Sequence, residues 1–195
     1  MVGKTLEDVD KAIQNCQKCG DLVEKFTNST SISFGGNSNI VILGEAPANN
    51  GWRKSGRAWY SPDGKMLQSG KILNKLLNII GVELDDTIFL EAIKCYPKAR
   101  KNLKTCSANC QEYLLMQLSV LNPELIITLG DAATKALLNF KNSKFGEVVG
   151  KIYPLKIAVK EIKILPIYHP SPISPVGYKG NVPIFNKLKK EQNYE

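Results

Sequence analysis

The chain has 195 residues, 43% of them hydrophobic and 23% charged, which suits one globular domain with a proper core and excludes a membrane-spanning or low-complexity architecture. Its 26 Lys and Arg against 18 Asp and Glu give a formal charge of +8; this favours a polyanionic partner such as DNA, because basic side chains release counterions from phosphates, although a merely solvated basic surface would give the same count. The N-terminal stretch MVGKTLEDVDKAIQNC lacks the apolar block of a secretory signal, so a cytoplasmic location is expected.

In chain order, residues Leu6–Gln14 read as a short helix. Asn39–Leu43 (NIVIL) is a first strand, rich in β-branched residues and without alternation, as in strands buried on both faces. Lys65–Ile80 has helical spacing of Met66, Leu67, Ile72, Leu73, Leu76, Leu77 and Ile80. A second strand spans Thr87–Ile93, a helix Ala108–Leu121, and a third strand Glu124–Leu129. Asp131–Phe140 reads as a helix with Asp131 at its start. Lys163–Tyr168 is a fourth strand and, because of Pro166, an edge candidate, and Asn181–Lys190 is a C-terminal helix. Strands alternating with helices predict a three-layer α/β/α fold with a central four-stranded parallel sheet, in a single domain spanning 1–195.

In such sheets ligands bind outside the carboxyl ends of the strands. The segments there are Gly44-Glu45-Ala46-Pro47, Lys94-Cys95-Tyr96-Pro97, Gly130-Asp131 and His169-Pro170-Ser171-Pro172. His169 is the chain's one histidine.

Five cysteines in a chain without a signal argue for metal ligation over a disulfide framework. Cys16 and Cys19 form a CxxC; Cys95 ends the second strand and Cys110 opens a helix fifteen positions later. Four thiolates so arranged suit zinc or an iron–sulfur cluster, either of which would staple the N-terminal segment to the domain. Cys106 is left over as an alternative ligand, a buried apolar residue or a free thiol.

Several segments together resemble the uracil-DNA glycosylase superfamily, specifically its iron–sulfur branches, families four and five. Gly44-Glu45-Ala46-Pro47 matches the GEAP opening of the family-four first motif. Residues 56–67 (GRAWYSPDGKML) resemble its G-R-P-F-V-G-R-A-G-Q-L-L segment. Ile93-Lys94-Cys95-Tyr96-Pro97 is similar to V-K-C-R-P, the helix from Cys110 resembles the one that opens with the fourth cluster ligand, and His169-Pro170-Ser171-Pro172-Ile173 resembles the HPSPL motif. Order and spacing after successive strands carry more weight than any one motif.

The resemblance implies a [4Fe-4S] cluster on Cys16, Cys19, Cys95 and Cys110, with zinc as the alternative, in a monomeric enzyme acting on DNA. It implies that His169 donates a hydrogen bond to a uracil oxygen as the glycosidic bond breaks, that Trp59 stacks on the everted base with Tyr60 as its neighbouring alternative, and that Gly44 and Ala46 line the base pocket. Ile173 resembles the leucine wedge that fills the vacated stack; Ser171, Pro172 and Lys179 would contact DNA from the Pro170–Gly180 loop. Lys187, Lys189 and Lys190 suit phosphates or solvent equally. The water positioner is open between Asp63 and Glu45, with Asn49 a further candidate, because residues 48–53 hold no acid where family four has one and read more like family five. Glu91 stands where the family has an Asn that reads uracil through one donor and one acceptor. An ionised carboxylate accepts from the ring N–H and repels the adjacent carbonyl, a protonated one imitates the amide if burial raises its pKa, and a third reading has Glu91 position the water with broadened specificity; hypoxanthine and xanthine are the substrates expected next after uracil. Two other readings fit the residues: a non-catalytic DNA-lesion-binding protein and an iron–sulfur redox protein.

Overall fold

The computed structural model describes residues 5–26, 31–33, 35, 39–48, 52–140, 143–157 and 160–192. Its elements are, in order, α1 (Leu6–Asn15), β1 (Val23–Glu24), β2 (Ile32–Ser33), β3 (Ile40–Gly44), α2 (Trp52–Ser55), α3 (Gln68–Leu77), β4 (Ile88–Glu91), β5 (Tyr96–Pro97), α4 (Leu103–Leu121), β6 (Leu125–Leu129), α5 (Gly130–Lys135), α6 (Phe145–Val148), β7 (Tyr153–Ile157), β8 (Lys160–Ile167) and α7 (Val182–Gln192). Among the described residues no helix is long and apolar enough to cross a membrane.

A six-stranded sheet in the order β2-β4-β3-β6-β8-β7 forms the middle layer. Its centre is the expected run of four parallel strands, β4-β3-β6-β8. The sheet is wider than expected because β2 and β7 add antiparallel edges to β4 and β8. Both escape a pattern search for a physical reason: β2 has only two residues, and β7 carries Pro154 and buries alternate residues as edge strands do. Pro166 does not put β8 at an edge. The β7 ladder ends at the Tyr153–Ile164 pair, so Pro166 lies beyond it: it pairs with Thr128 of β6, and its carbonyl accepts from the Gly150 N–H at 2.8 Å.

Both faces of the central strands are apolar, which is why they read as unbroken hydrophobic runs. On one face Ile42, Phe89, Ile127 and Leu165 pack with Leu73, Leu76 and Leu77 of α3 and Phe185 of α7. On the other, Val41, Leu43, Leu90 and Ile126 pack with Leu114 and Leu118 of α4. The first helix adds its amphipathic face through Val9 and Ile13, against Tyr113 of α4. Thr5 and Asp8 cap it reciprocally, each side chain bonding the other's backbone N–H.

Three boundaries differ from expectation. The helix expected from Ala108 starts at Leu103, so Cys110 sits in its second turn, one turn after Cys106. The helix after β6 ends at Lys135, with Leu137 and Leu138 bonded back to Thr134 in a closing turn. Strand β4 stops at Glu91, four residues short of Cys95. Beyond it Ala92 and Ile93 still donate to the carbonyls of Gly44 and Glu45, at 2.9 and 3.0 Å.

Leu118 is fully buried, and Leu118→Ala should lower stability by about 2–5 kcal/mol, against about 1 kcal/mol for the cap variant Thr5→Ala; denaturant midpoints at an unchanged slope check both.

Candidate active site

Parallel register sets Gly44 across from Glu91 and Leu129 across from Ile167, so residues 45–47, Gly130 and His169 leave the sheet at one edge. His169 backs onto Gly130, where a methyl group would lie 3.5 Å from the histidine Cβ. The residue is exposed at the mouth, yet protein around the ring pushes its pKa below the ordinary histidine value, while the Glu45 carboxylate pulls the other way. Glu45 is half-buried and lies 3.9 Å from the Arg100 guanidinium. It also stands at the edge of a cleft of about 860 Å³ between α4 and α5. Ala46 packs towards the buried cysteines.

A second group gathers at the tip of β4. Gly44 is needed there, because a Cβ would lie 3.1 Å from the Phe89 ring. Trp59 meets Phe89 edge to face, with centroids 4.8 Å apart, and Trp52 does the same from 5.9 Å. Trp59 holds a left-handed backbone at φ 71°, a conformation costly for a bulky residue and typical of sites where surrounding structure imposes it. It is half-buried and packs against the core beside Phe89. Tyr60 is committed elsewhere: its hydroxyl donates to Asp85 at 2.8 Å.

Glu91 is buried, 3% exposed, and its carboxylate accepts from Arg53 Nε at 3.3 Å. Burial pushes its pKa up, opposed first by the Arg53 charge; the Trp52 indole N–H also faces it, outside hydrogen-bonding geometry. Arg53 lies between the rings of Trp52 and Phe26, 4.8 and 5.5 Å from their centroids. Lys94 is buried too, with its ammonium donating to the Glu91 carbonyl; burial pushes its pKa down to about 7.

The loop after β8 carries the apolar tip. Ile173 is 92% exposed, and Pro172 and Lys179 are exposed beside it while Ser171 is half-buried. The loop is folded back tightly: a Cβ on Gly177 would lie 2.5 Å from the Ser171 carbonyl. Asn181, fully buried, holds its base by accepting from the Tyr168 N–H at 3.0 Å and donating to the carbonyls of Tyr168 and Gly177 at 2.8 and 2.9 Å.

Other expected residues stand apart. Asp63 lies in an exposed turn, bonded by the Ser61 hydroxyl and paired with Lys65 at 2.9 Å. Asn49 falls outside the described residues. Lys187, Lys189 and Lys190 are exposed on α7, with Lys187 3.7 Å from Glu191.

Cys16, Cys19, Cys95 and Cys110 line one cavity of about 160 Å³, with Tyr113 and Lys94 in its wall. Among the described residues no three His, Cys, Asp or Glu side chains converge closely enough to hold a single metal ion; the thiols surround a space. Two N–H groups point at sulfur, Lys94 N to Cys110 Sγ at 3.5 Å and Asn109 Nδ2 to Cys19 Sγ at 3.4 Å. Burial and the neighbouring thiols push Cys95 up to about 11. Cys106 is buried beside Cys19 but does not line the cavity.

Arg53, Phe89, Lys94 and Asn181 were not anticipated as site residues. Lys94 had a signal, a lysine within an apolar run between Ile93 and Cys95; Arg53 had none, since a charge next to a tryptophan normally marks a surface.

The model of the "Uracil DNA glycosylase superfamily" matches residues 32–191. A type-4 uracil-DNA glycosylase of Archaeoglobus fulgidus is 29% identical over 174 residues, covering 87% of this chain and 83% of that protein. One of Saccharolobus solfataricus is 31% identical over 85% of this chain and 76% of that protein. A type-5 uracil-DNA glycosylase of Pyrobaculum aerophilum is 25% identical over 86% of this chain and 83% of that protein.

With a single histidine, the imidazole proton resonances can be assigned without ambiguity. Their titration midpoint should fall below that of free histidine, and Glu45→Gln should lower it further by removing the charge that favours the imidazolium.

Proposed function

Because the chain belongs to the uracil DNA glycosylase superfamily, we propose that it is a base-excision-repair enzyme that hydrolyses the N-glycosidic bond of uracil, and of related deaminated bases, in DNA. The curated relatives named as uracil-DNA glycosylases match most of their own length, so the whole domain is available for that activity. The observation that supports the reading most is that Glu45 and His169 leave the sheet at the same strand-tip edge, beside the Trp59–Phe89 ring pair.

The base must leave the stack to be reached. Ile173, at the tip of a loop braced by Asn181, is the apolar wedge that takes its place. Pro172 and Ser171 flank the wedge and Lys179 offers a phosphate contact, in keeping with the +8 charge. Trp59 supplies a ring against the base, and Gly44, with no side chain, and Ala46, with a small one, line its approach to the tip of β3. His169, held neutral by its lowered pKa, donates an N–H to a uracil oxygen as negative charge develops there. Glu45 is the better water positioner than Asp63, since it shares the strand-tip edge with His169 while Asp63 is bonded to Ser61 and Lys65.

The four thiols around one cavity, with N–H donors at two sulfurs, fit a [4Fe-4S] cluster better than a single zinc ion, whose roughly 2.3 Å bonds need sulfurs converging on a point. Cys16, Cys19, Cys95 and Cys110 would hold it. When bound it would tie the N-terminal segment to β5 and α4 and supply no step of the reaction.

Oligonucleotides containing uracil should release the base and become alkali-labile at that site. His169→Ala should lower the rate by about 10²–10³-fold, the usual cost of losing a donor to a developing oxyanion, and the wild-type rate should fall as pH drops through the histidine midpoint. Binding to uracil-containing DNA without release would overturn the enzyme in favour of a lesion-binding protein. The anaerobically purified protein should be brown and contain about four irons per chain; Cys110→Ser should lose iron and thermal stability while Cys106→Ser keeps both, and zinc in place of iron would refute the cluster.

A further inference from the structure

Cys106 is the cysteine that the four-thiol set leaves over, and its place on α4 is specific. It is fully buried one turn before Cys110, and residues four apart on a helix share a face. The two cysteines of the N-terminal CxxC, by contrast, are splayed along that face. Cys19 packs with Val23, Ile93, Cys106 and Cys110, whereas Cys16 packs with Val9, Ile13 and Tyr113, about two turns further along α4. Asn109 fixes this register, because its Nδ2 donates to the Lys18 carbonyl at 3.0 Å and to Cys19 Sγ at 3.4 Å. The Cys106 thiol lies against the Cys19 sulfur, while Cys110 Sγ accepts from the Lys94 N–H at 3.5 Å. The pair has an outer and an inner member: Cys19 is half-buried and lines the thiol cavity, and Cys106 is fully buried and does not line it.

We propose that Cys19 and Cys106 form a redox modification site, joining in a disulfide when peroxide has removed the group held by the four cavity thiols. This rests on the cluster reading and goes beyond it, since Cys106 takes no part while the four ligands are engaged. The freed Cys19 thiolate attacks one oxygen of hydrogen peroxide; the O–O bond breaks, and the hydroxide released takes a proton from solvent to become water. Cys19 is left as a sulfenic acid, the stage at which a neighbouring resolving thiol acts. The Cys106 sulfur then attacks the Cys19 sulfur, the S–O bond breaks, and the hydroxyl leaves as a second water with the Cys106 proton. Two thiols are thereby oxidised by two electrons, and one peroxide is reduced to two waters. The cross-link keeps the N-terminal segment on α4 after the cluster is lost, and it stops Cys19 at a state that thiols reduce again, short of the irreversible acids. It also withholds one of the four ligands, so a linked chain rebuilds no cluster until it is reduced.

The test starts from the iron-loaded protein, bleached with hydrogen peroxide, alkylated, and digested without reduction. Mass spectrometry should find the Cys19–Cys106 peptide as the main disulfide. Iron and sulfide offered to the bleached chain should be taken up only after dithiothreitol, and then to about the starting content. Cys106→Ser and Cys106→Ala, the latter leaving no buried hydroxyl, should be iron-loaded and folded as purified. After the same peroxide they should carry Cys19 as sulfinic or sulfonic acid and lose the recovery of iron. A main link from Cys19 to Cys16 or Cys110 in the wild type, or full iron recovery in both Cys106 variants, overturns the inference. Anaerobically purified protein without iron instead sinks the cluster reading alone, and the metal-free chain given the same peroxide still decides the pair by its linked peptide.

Discussion

Parallel pairing of β4, β3, β6 and β8 in a single register is the constraint on which the site depends. Because the four strands run the same way, their carboxyl ends meet at one edge, and residues far apart in sequence become neighbours without long side chains having to reach. Gly44 then lies against Phe89 and Glu91, while His169 lies against Gly130. Glu45 follows β3 directly, and Glu91 pairs with Gly44 at its last position, so the Arg53–Glu91 pair lies close to the strand-tip edge of Glu45 and His169. A one-residue slip of β3 would bury Glu45 and turn Gly44's bare backbone away from the Phe89 ring, removing both groups together.

The thiol cavity is physically continuous with this edge. Lys94 donates its backbone N–H to Cys110 Sγ and its ammonium to the Glu91 carbonyl, so one buried residue spans from the cavity wall to the strand tip. A group bound by the thiols would fix Cys95, and through it the residues 92–94 that extend from β4. It would act on the chemistry by holding Glu91 in place, much as outer-sphere contacts hold ligands around a metal.

The central strands and their order were legible because burial on both faces leaves uninterrupted runs of Ile, Val and Leu. The edges were not: two residues cannot show a period, and Pro154 interrupts one. Pro166 misled because its effect depends on where the neighbouring strand stops, which the local sequence does not state. For the candidate site, motifs pointed to His169, Glu45, Trp59 and four cysteines, and those four thiols do line one cavity. Glu91 was noticed through its departure from an amide, but its ionic partner was hidden. Arg53 reaches Glu91 across 38 residues, and nothing in Trp52-Arg53-Lys54 distinguishes a buried guanidinium from a solvated one. Likewise Asn181 looked like a helix start; its buried clamp on Tyr168 and Gly177 is visible only once the loop is closed.

Stability alone does not account for the Arg53–Glu91 pair. Removing two charges from water costs several kcal/mol per ion, and apolar residues of similar size often replace such a pair with no loss of stability. Here the cost is higher still, since Arg53 Nη2 is left unpaired. A strand tip that has to hold only the fold would be better filled by leucine. Ile173 likewise costs solubility in the free protein with its exposed apolar side chain, a cost that the proposed wedge role offsets.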